Sequence, residues 1–154
     1  MREITLTIAG EPVPKARARV TKTGIAYTPA KTRRWEQTAA IMAQAEMRGQ
    51  QPIEGPLEVT VLAQWQPPQS WPAWKRNAAL ISGIGHTAKP DADNIAKAAL
   101  DAIQGVVFRD DSQVTGLIVR KSYGDIPGVT IRVRALDAMA AQVKRRIDIM
   151  ESAA

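Results

Sequence analysis

The sequence predicts an α+β fold, a single compact domain in which a β-sheet packs against helices. Three observations lead there. Residues 3–8 and 57–65 alternate apolar and polar side chains with a period of two, while residues 95–103 recur with the helical period of 3.6. A chain of 154 residues has room for one real hydrophobic core and little room for a second. No internal repeat, low-complexity tract or second boundary interrupts it.

Taken in order, the first strand has Ile4, Leu6 and Ile8 on one face and is broken by two prolines between Gly10 and Pro14. Thr28-Pro29 fits a helix start, with a hydroxyl cap and proline at the first helical position. That helix runs to Arg48, with Trp35, Ala39, Met42 and Glu46 at helical spacing, and Gly49 ends it. Pro52 to Pro56 is a connector. Leu57, Val59, Val61, Ala63 and Trp65 share one face of the second strand. A proline-rich loop from Gln66 to Pro72 precedes a short helix from Pro72 to about Ile81. Gly83 and Gly85 then lead to Lys89-Pro90.

The next helix is the best defined. Ile95, Ala98, Ala99, Ala102 and Ile103 make a narrow apolar stripe, and Asp93, Lys97 and Asp101 share a different face. Asp91 or Asp93 can cap its N-terminus, where the helix dipole favours negative charge, and Gly105 can close its C-terminus. Val106-Val107-Phe108 leads into Asp110-Asp111. A hairpin is expected next, with strands near 113–122 and 129–135 joined by the turn Gly124 to Gly128. A last helix spans Leu136 to Met150, with Met139, Val143, Ile147 and Met150 on its apolar face.

The unusual quantity is the balance of charge. Lysine and arginine number 21 against 15 acids, a net +6, which speaks to an anionic partner such as nucleic acid. From Lys15 to Arg34 there are seven basic residues and no acid. This stretch reads either as a solvated loop and helix start or as a phosphate-contacting surface. The N-terminus has no apolar core of the signal-peptide kind, and no apolar run approaches the roughly 20 residues that span a bilayer. The expectation is a soluble, unsecreted protein without a membrane partner. Zero cysteines exclude disulfides and thiolate sites and a single histidine argues against a His-rich zinc site, so any metal should be a hard, oxygen-liganded one.

Against that basic background stands Lys89-Pro90-Asp91-Ala92-Asp93-Asn94-Ile95-Ala96-Lys97, followed by Asp110-Asp111. Neighbouring carboxylates repel unless a cation lies between them. A calcium loop needs a glycine and further oxygen donors where Ile95, Ala96 and Lys97 stand. A phosphatase-type nucleophile belongs at the end of an apolar strand, which Thr87 to Pro90 is not. Two readings stay open: Asp91 as a helix cap with Asp93 paired to Lys97, or a Mg²⁺ site for phosphodiester cleavage. In the second, Lys97 balances the carboxylates or meets charge developing on the phosphate.

The string KPDADNIAKAALDAIQGVVFRDDSQV, Lys89 to Val114, resembles the motif of the RusA family of Holliday junction resolvases. The N-terminal G-x-P-x-x-K-x-R-x-R element at Gly10 to Arg19, Tyr27-Thr28-Pro29, and Lys121 agree in outline, so the resemblance spans about residues 4 to 135. It implies a mixed sheet of RusA type and a homodimeric, Mg²⁺-dependent endonuclease, with Mn²⁺ as the alternative ion. Its substrate would be four-way DNA junctions, nicked symmetrically in recombination and repair, in the cytoplasm of a bacterial or phage-infected cell. The implied catalytic residues are Asp91, Asp93, Lys97 and Asp111; the three aspartates hold metal, with Asp110 auxiliary. The last helix lies outside the resemblance.

For DNA contacts the basic residues of interest are Lys15, Arg17, Arg19, Arg33, Arg34, Lys75, Arg76, Lys89 and Lys121. Lys144, Arg145 and Arg146 are either a solvated helix face or a further contact. Trp71 and Trp74 can stack on unpaired bases, though such tryptophans more often fill a core edge or dimer interface. Trp35 and Trp65 read as core; His86, five residues before Asp91, could touch phosphate, but a lone histidine in a glycine-containing loop is more often just solvated. The alternatives are a junction-binding protein without cleavage, and a metal-dependent nuclease of other branched DNA or of RNA.

Overall fold

The computed structural model describes residues 2–16 and 19–153, with the side chains of residues 137–141 outside the description. Strand β1 (Glu3–Ala9) is followed by the two-residue strands β2 (Arg19–Val20) and β3 (Ala26–Tyr27), which pair with each other. Helix α1 (Ala30–Met47), strand β4 (Leu57–Trp65), helix α2 (Ala73–Leu80) and helix α3 (Ala92–Ile103) come next. A 3₁₀ turn (Asp111–Gln113) opens strand β5 (Val114–Tyr123), and β6 (Gly128–Ala135) and helix α4 (Asp137–Ser152) complete the chain. The fold is α+β with a mixed four-stranded sheet, as expected.

The strand order is β1-β6-β4-β5, with β4 and β5 parallel and the other neighbours antiparallel. Alternation decides which face is buried. Leu6, Ile131, Val61 and Val119 line up across all four strands, and Ile4, Val133, Val59 and Leu117 form the next row. Helices α1 and α3 pack together, and both cover this face. Leu57, Val59, Val61, Ile131 and Val133 are fully buried, each stabilising the fold by about 1.5–3 kcal/mol relative to exposure. The opposite face is an open groove of about 490 Å³ whose lining includes Thr60, Leu62, Ile118, Arg120 and Arg132.

The expected hairpin does not form. β5 and β6 lie on either side of β4, and the loop between them crosses the end of that strand. The apolar face of β4 is wholly buried, whereas β5 is largely exposed, so burial favours β4 inside and β5 at the edge. Two glutamine side chains and the backbone of Trp65 hold the crossing. Gln64 Nε2 donates to Ile126 O (2.6 Å), Gln66 Nε2 to Asp125 O (2.8 Å), and Gly124 N to Trp65 O (2.9 Å). A Cβ on Gly124 would collide with the Gln64 amide where that amide reaches Ile126 O.

Three smaller expectations change. Pro29 is the N-cap of α1 and not its first helical residue, and no hydroxyl caps the helix. The buried stripe of α1 runs through Trp35, Ala39, Ala43 and Met47, leaving Met42 half-buried and Glu46 exposed. The step of four residues from each to the next is the spacing that keeps one helix face against the sheet. In α4, Val143, Ile147 and Met150 are exposed, and Met139 lies outside the described side chains. No helix among the described residues is long and apolar enough to cross a membrane.

Candidate active site

Helix α3 places the acidic motif. Its stripe buries Ile95, Ala98, Ala99, Ala102 and Ile103, together with Ala96, and the small alanines let α1 and the sheet approach closely. Burial of that stripe turns Asp93 and Lys97 outward and leaves Asp101 half-buried. Asp91 occupies the N-cap position with extended backbone (φ −68°, ψ 152°), yet its carboxylate makes no capping hydrogen bond. The Lys89-Pro90 bond, one residue further upstream, is cis. The Asp93–Lys97 pair, one of the two readings left open by the sequence, is not formed among the described residues; Lys97 Nζ lies 3.9 Å from Asp101 Oδ2 instead. Asp91 and Asp93 thus present carboxylates at the positive end of a helix dipole, without a capping or ion-pair partner among the described residues.

The second acidic cluster is held from below. Val107 and Phe108 are fully buried, Phe108 bridges to Ile53 and Gln104, and Gly105 donates to Phe108 O (2.7 Å) with φ 82°. Gln113 then clamps the turn. Its Oε1 accepts from Arg109 N (2.9 Å) and Asp110 N (3.1 Å), and its Nε2 donates to Ile53 O (2.9 Å) and Gly55 O (3.0 Å). Asp110 Oδ1 accepts from Ser112 N (2.8 Å) in a capping box. That backbone hydrogen bond, with the Ser112 hydroxyl adding to it, holds the Asp110 carboxyl below its ordinary pKa. Asp110 therefore has a structural task, while Asp111 is exposed in the first turn. The motif reading gives Gln113 no role, although the glutamine stands three residues after Asp110 at capping-box spacing.

His86 is not solvated. It is buried, stacked on Trp65 at 4.0 Å between ring centroids with an interplanar angle of 19°, and lies 4.9 Å from Tyr123. The flat imidazole fills the space between two aromatic rings at the end of the sheet. Burial first, and the Lys121 charge second, push its pKa down. Lys121 Nζ donates to Ala88 O (2.7 Å), tying β5 to the segment that enters the motif. Trp71 packs edge-on against Tyr123 (5.3 Å) and carries Lys75 4.0 Å above its ring. Trp35 and Trp65 are core, as expected, while Trp74 is exposed.

The basic residues divide into two groups. Lys15 Nζ lies 2.6 Å from Glu36 Oε1 and 3.2 Å from Asp101 Oδ2, so its charge is engaged inside the protein. Partial burial would lower its pKa, but the two carboxylates outweigh this and raise it. Lys75, Arg76 and Lys121 are likewise half-buried. Arg19, Arg33, Arg34 and Lys89 are exposed, and Arg17 lies outside the described residues.

Oxygen donors of this kind suit a hard divalent cation. They are not yet gathered around one point: among the described residues no three His, Cys, Asp or Glu side chains stand close enough together to hold a metal ion.

A family model described as endodeoxyribonuclease RusA matches residues 9–134. The chain belongs to the RusA family. An uncharacterized protein of Bacillus subtilis (strain 168), YqaN, is 33% identical over 140 residues, covering 88% of this chain and 98% of that protein. The RusA match takes in both acidic clusters, Lys97, Gln113 and the whole sheet except the first six residues of β1 and the last of β6. It stops short of α4, the helix whose described apolar residues are exposed.

Proposed function

We propose that this RusA-family protein is a Mg²⁺-dependent endonuclease that nicks four-way DNA junctions, acting as a homodimer in the cytoplasm with residues 1–154 as one domain. The observation that carries the reading is the pair of carboxylates, Asp91 and Asp93, without an ion-pair partner among the described residues, at the start of α3 in a chain of net charge +6. A binding-only protein gains nothing from bare carboxylates beside phosphate, which repel it. Asp91, Asp93 and Asp111 would hold the metal, and Mn²⁺ would serve in place of Mg²⁺. When bound, such an ion makes a water more acidic and stabilises the leaving alkoxide.

The remaining chemistry falls to the chain. Lys97, exposed one turn beyond Asp93, meets negative charge developing on the phosphate. Asp110 and Gln113 keep the turn that carries Asp111 in place. Arg19, Arg33, Arg34 and Lys89 offer charge to the DNA backbone. A four-way junction is roughly two-fold symmetric, so a C₂ dimer offers one site to each of two equivalent strands.

One observation favours a second reading, junction binding without cleavage: no three carboxylates converge among the described residues. A labelled synthetic junction, a matched duplex and a single strand, each incubated with Mg²⁺ and with EDTA, separate the two. Symmetric nicks confined to the junction, abolished by EDTA and by Asp91→Asn while binding persists, support the nuclease. Tight junction binding with no nicks under any metal supports the second reading, and equal attack on duplex points to a general nuclease.

A further inference from the structure

Two carboxylates from two different helices meet around one lysine. Lys15, in the segment between β1 and β2, reaches Asp101 Oδ2 of α3 at 3.2 Å, and Glu36 of α1 holds its other side at 2.6 Å. Lys97 Nζ stands 3.9 Å from the same Asp101 oxygen. The backbone of Lys15 also donates to Asn94 O in the first turn of α3 (3.1 Å). Lys15 and Asp101 are largely shielded, with side-chain exposures of 23% and 28%, while Lys97 is 65% exposed. Charge pairs shielded in this way are stronger than those on an open surface.

We propose that Lys15 is a positioning residue for Lys97, acting through Asp101. Within this arrangement Asp101 Oδ2 lies closer to Lys15, which it shares with Glu36, than to Lys97, so its hold on Lys97 is weak and the Lys97 ammonium stays available to the phosphate. Remove the Lys15 charge and Asp101 is left, among the described residues, with Lys97 as its nearby cation. The i,i+4 pair then tightens and draws Lys97 along α3, away from Asp93. The proposal rests on the nuclease reading for its effect on rate, though the charge network itself does not.

The test uses the full chain with a synthetic junction and Mg²⁺. Lys15→Met should lower kcat for nicking about 10- to 100-fold, the scale set by small misplacement of a catalytic group, without weakening junction binding. Adding Asp101→Asn should restore most of that loss, because nothing is left to capture Lys97, and Lys15→Arg should resemble the wild type. In parallel, labelling of Lys97 by an amine-directed reagent, read by mass spectrometry without DNA, should fall in Lys15→Met and recover in the double variant. Lys15→Gln replaces Lys15→Met if the latter does not fold. Weaker junction binding at unchanged kcat would make Lys15 a phosphate contact and overturn the proposal. A double variant as impaired as the single, in rate and in labelling, would make the network merely structural and do the same. If the wild type nicks nothing, the nuclease reading fails, and the labelling series still decides whether Lys15 governs Lys97.

Discussion

Replacing Gln113 with alanine removes four hydrogen bonds at once, two accepted from Arg109 N and Asp110 N and two donated to Ile53 O and Gly55 O. The donated pair joins the acidic turn to the connector before β4, across about 60 residues of sequence. A typical net contribution is about 0.5–1.5 kcal/mol per bond, and the groups here are only partly shielded, so water recovers some of the loss. The low end for all four bonds gives a destabilisation of about 2 kcal/mol. For a domain of this size that corresponds to a fall in Tm of about 4–8 °C. Chemical denaturation and calorimetry read the stability, and nicking of a synthetic junction reads the site. Because the freed turn carries Asp111, cleavage should fall by more than the unfolded fraction explains. Gln113→Glu is the sharper variant: it keeps the acceptor for the two N–H groups but sets an oxygen against the carbonyls of Ile53 and Gly55. If Gln113→Ala matched the wild type in both stability and nicking, the clamp would have no part in holding the acidic turn.

Phe108→Ala should cost about 3–5 kcal/mol, because the ring is fully buried beneath the same turn; equilibrium urea unfolding measures it, and a loss under about 1 kcal/mol would contradict the packing. The folded state lowers the pKa of His86, so the unfolded chain binds its proton more tightly. Stability should therefore drop as pH falls below about 6.5 and level off below the folded pKa, and His86→Phe should remove that part of the pH dependence of Tm. Arg33→Ala and Arg34→Ala, at exposed positions near the start of α1, should each weaken junction binding and reduce the slope of log Kd against log salt by about one. An unchanged slope would place both side chains away from the DNA.

Periodicity makes much of the fold legible in the sequence. The stripe of α3 and the alternating face of β4 occur where the spacing of Ile95, Ala98, Ala99, Ala102 and Ile103, and of Leu57 through Trp65, puts them. The motif residues at the start of α3 and in the turn before β5 are likewise visible as types and spacings. What a linear pattern does not carry is which distant groups meet. Gln113 shares no sequence neighbourhood with Ile53, and the indole of Trp65 receives the imidazole of His86 from the far side of α2 in the chain.

The sequence by itself determined most of the elements and the functional groups they carry, because backbone geometry imposes its period on neighbouring residues and residue type fixes the group; the short pair β2 and β3 carries no such period. Only the tertiary structure decided that β4 separates β5 from β6, that His86 is buried, and that the charge of Lys15 is engaged with Glu36 and Asp101. Those outcomes depend on burial and distance between residues far apart in the chain. A short turn between two alternating segments is compatible with a hairpin, yet in the fold β4, its apolar face buried, lies between β6 and β5, and the two sequence neighbours do not pair. Likewise, a lysine in a run of positive charge reads as a phosphate contact until the fold brings two carboxylates within reach of its ammonium.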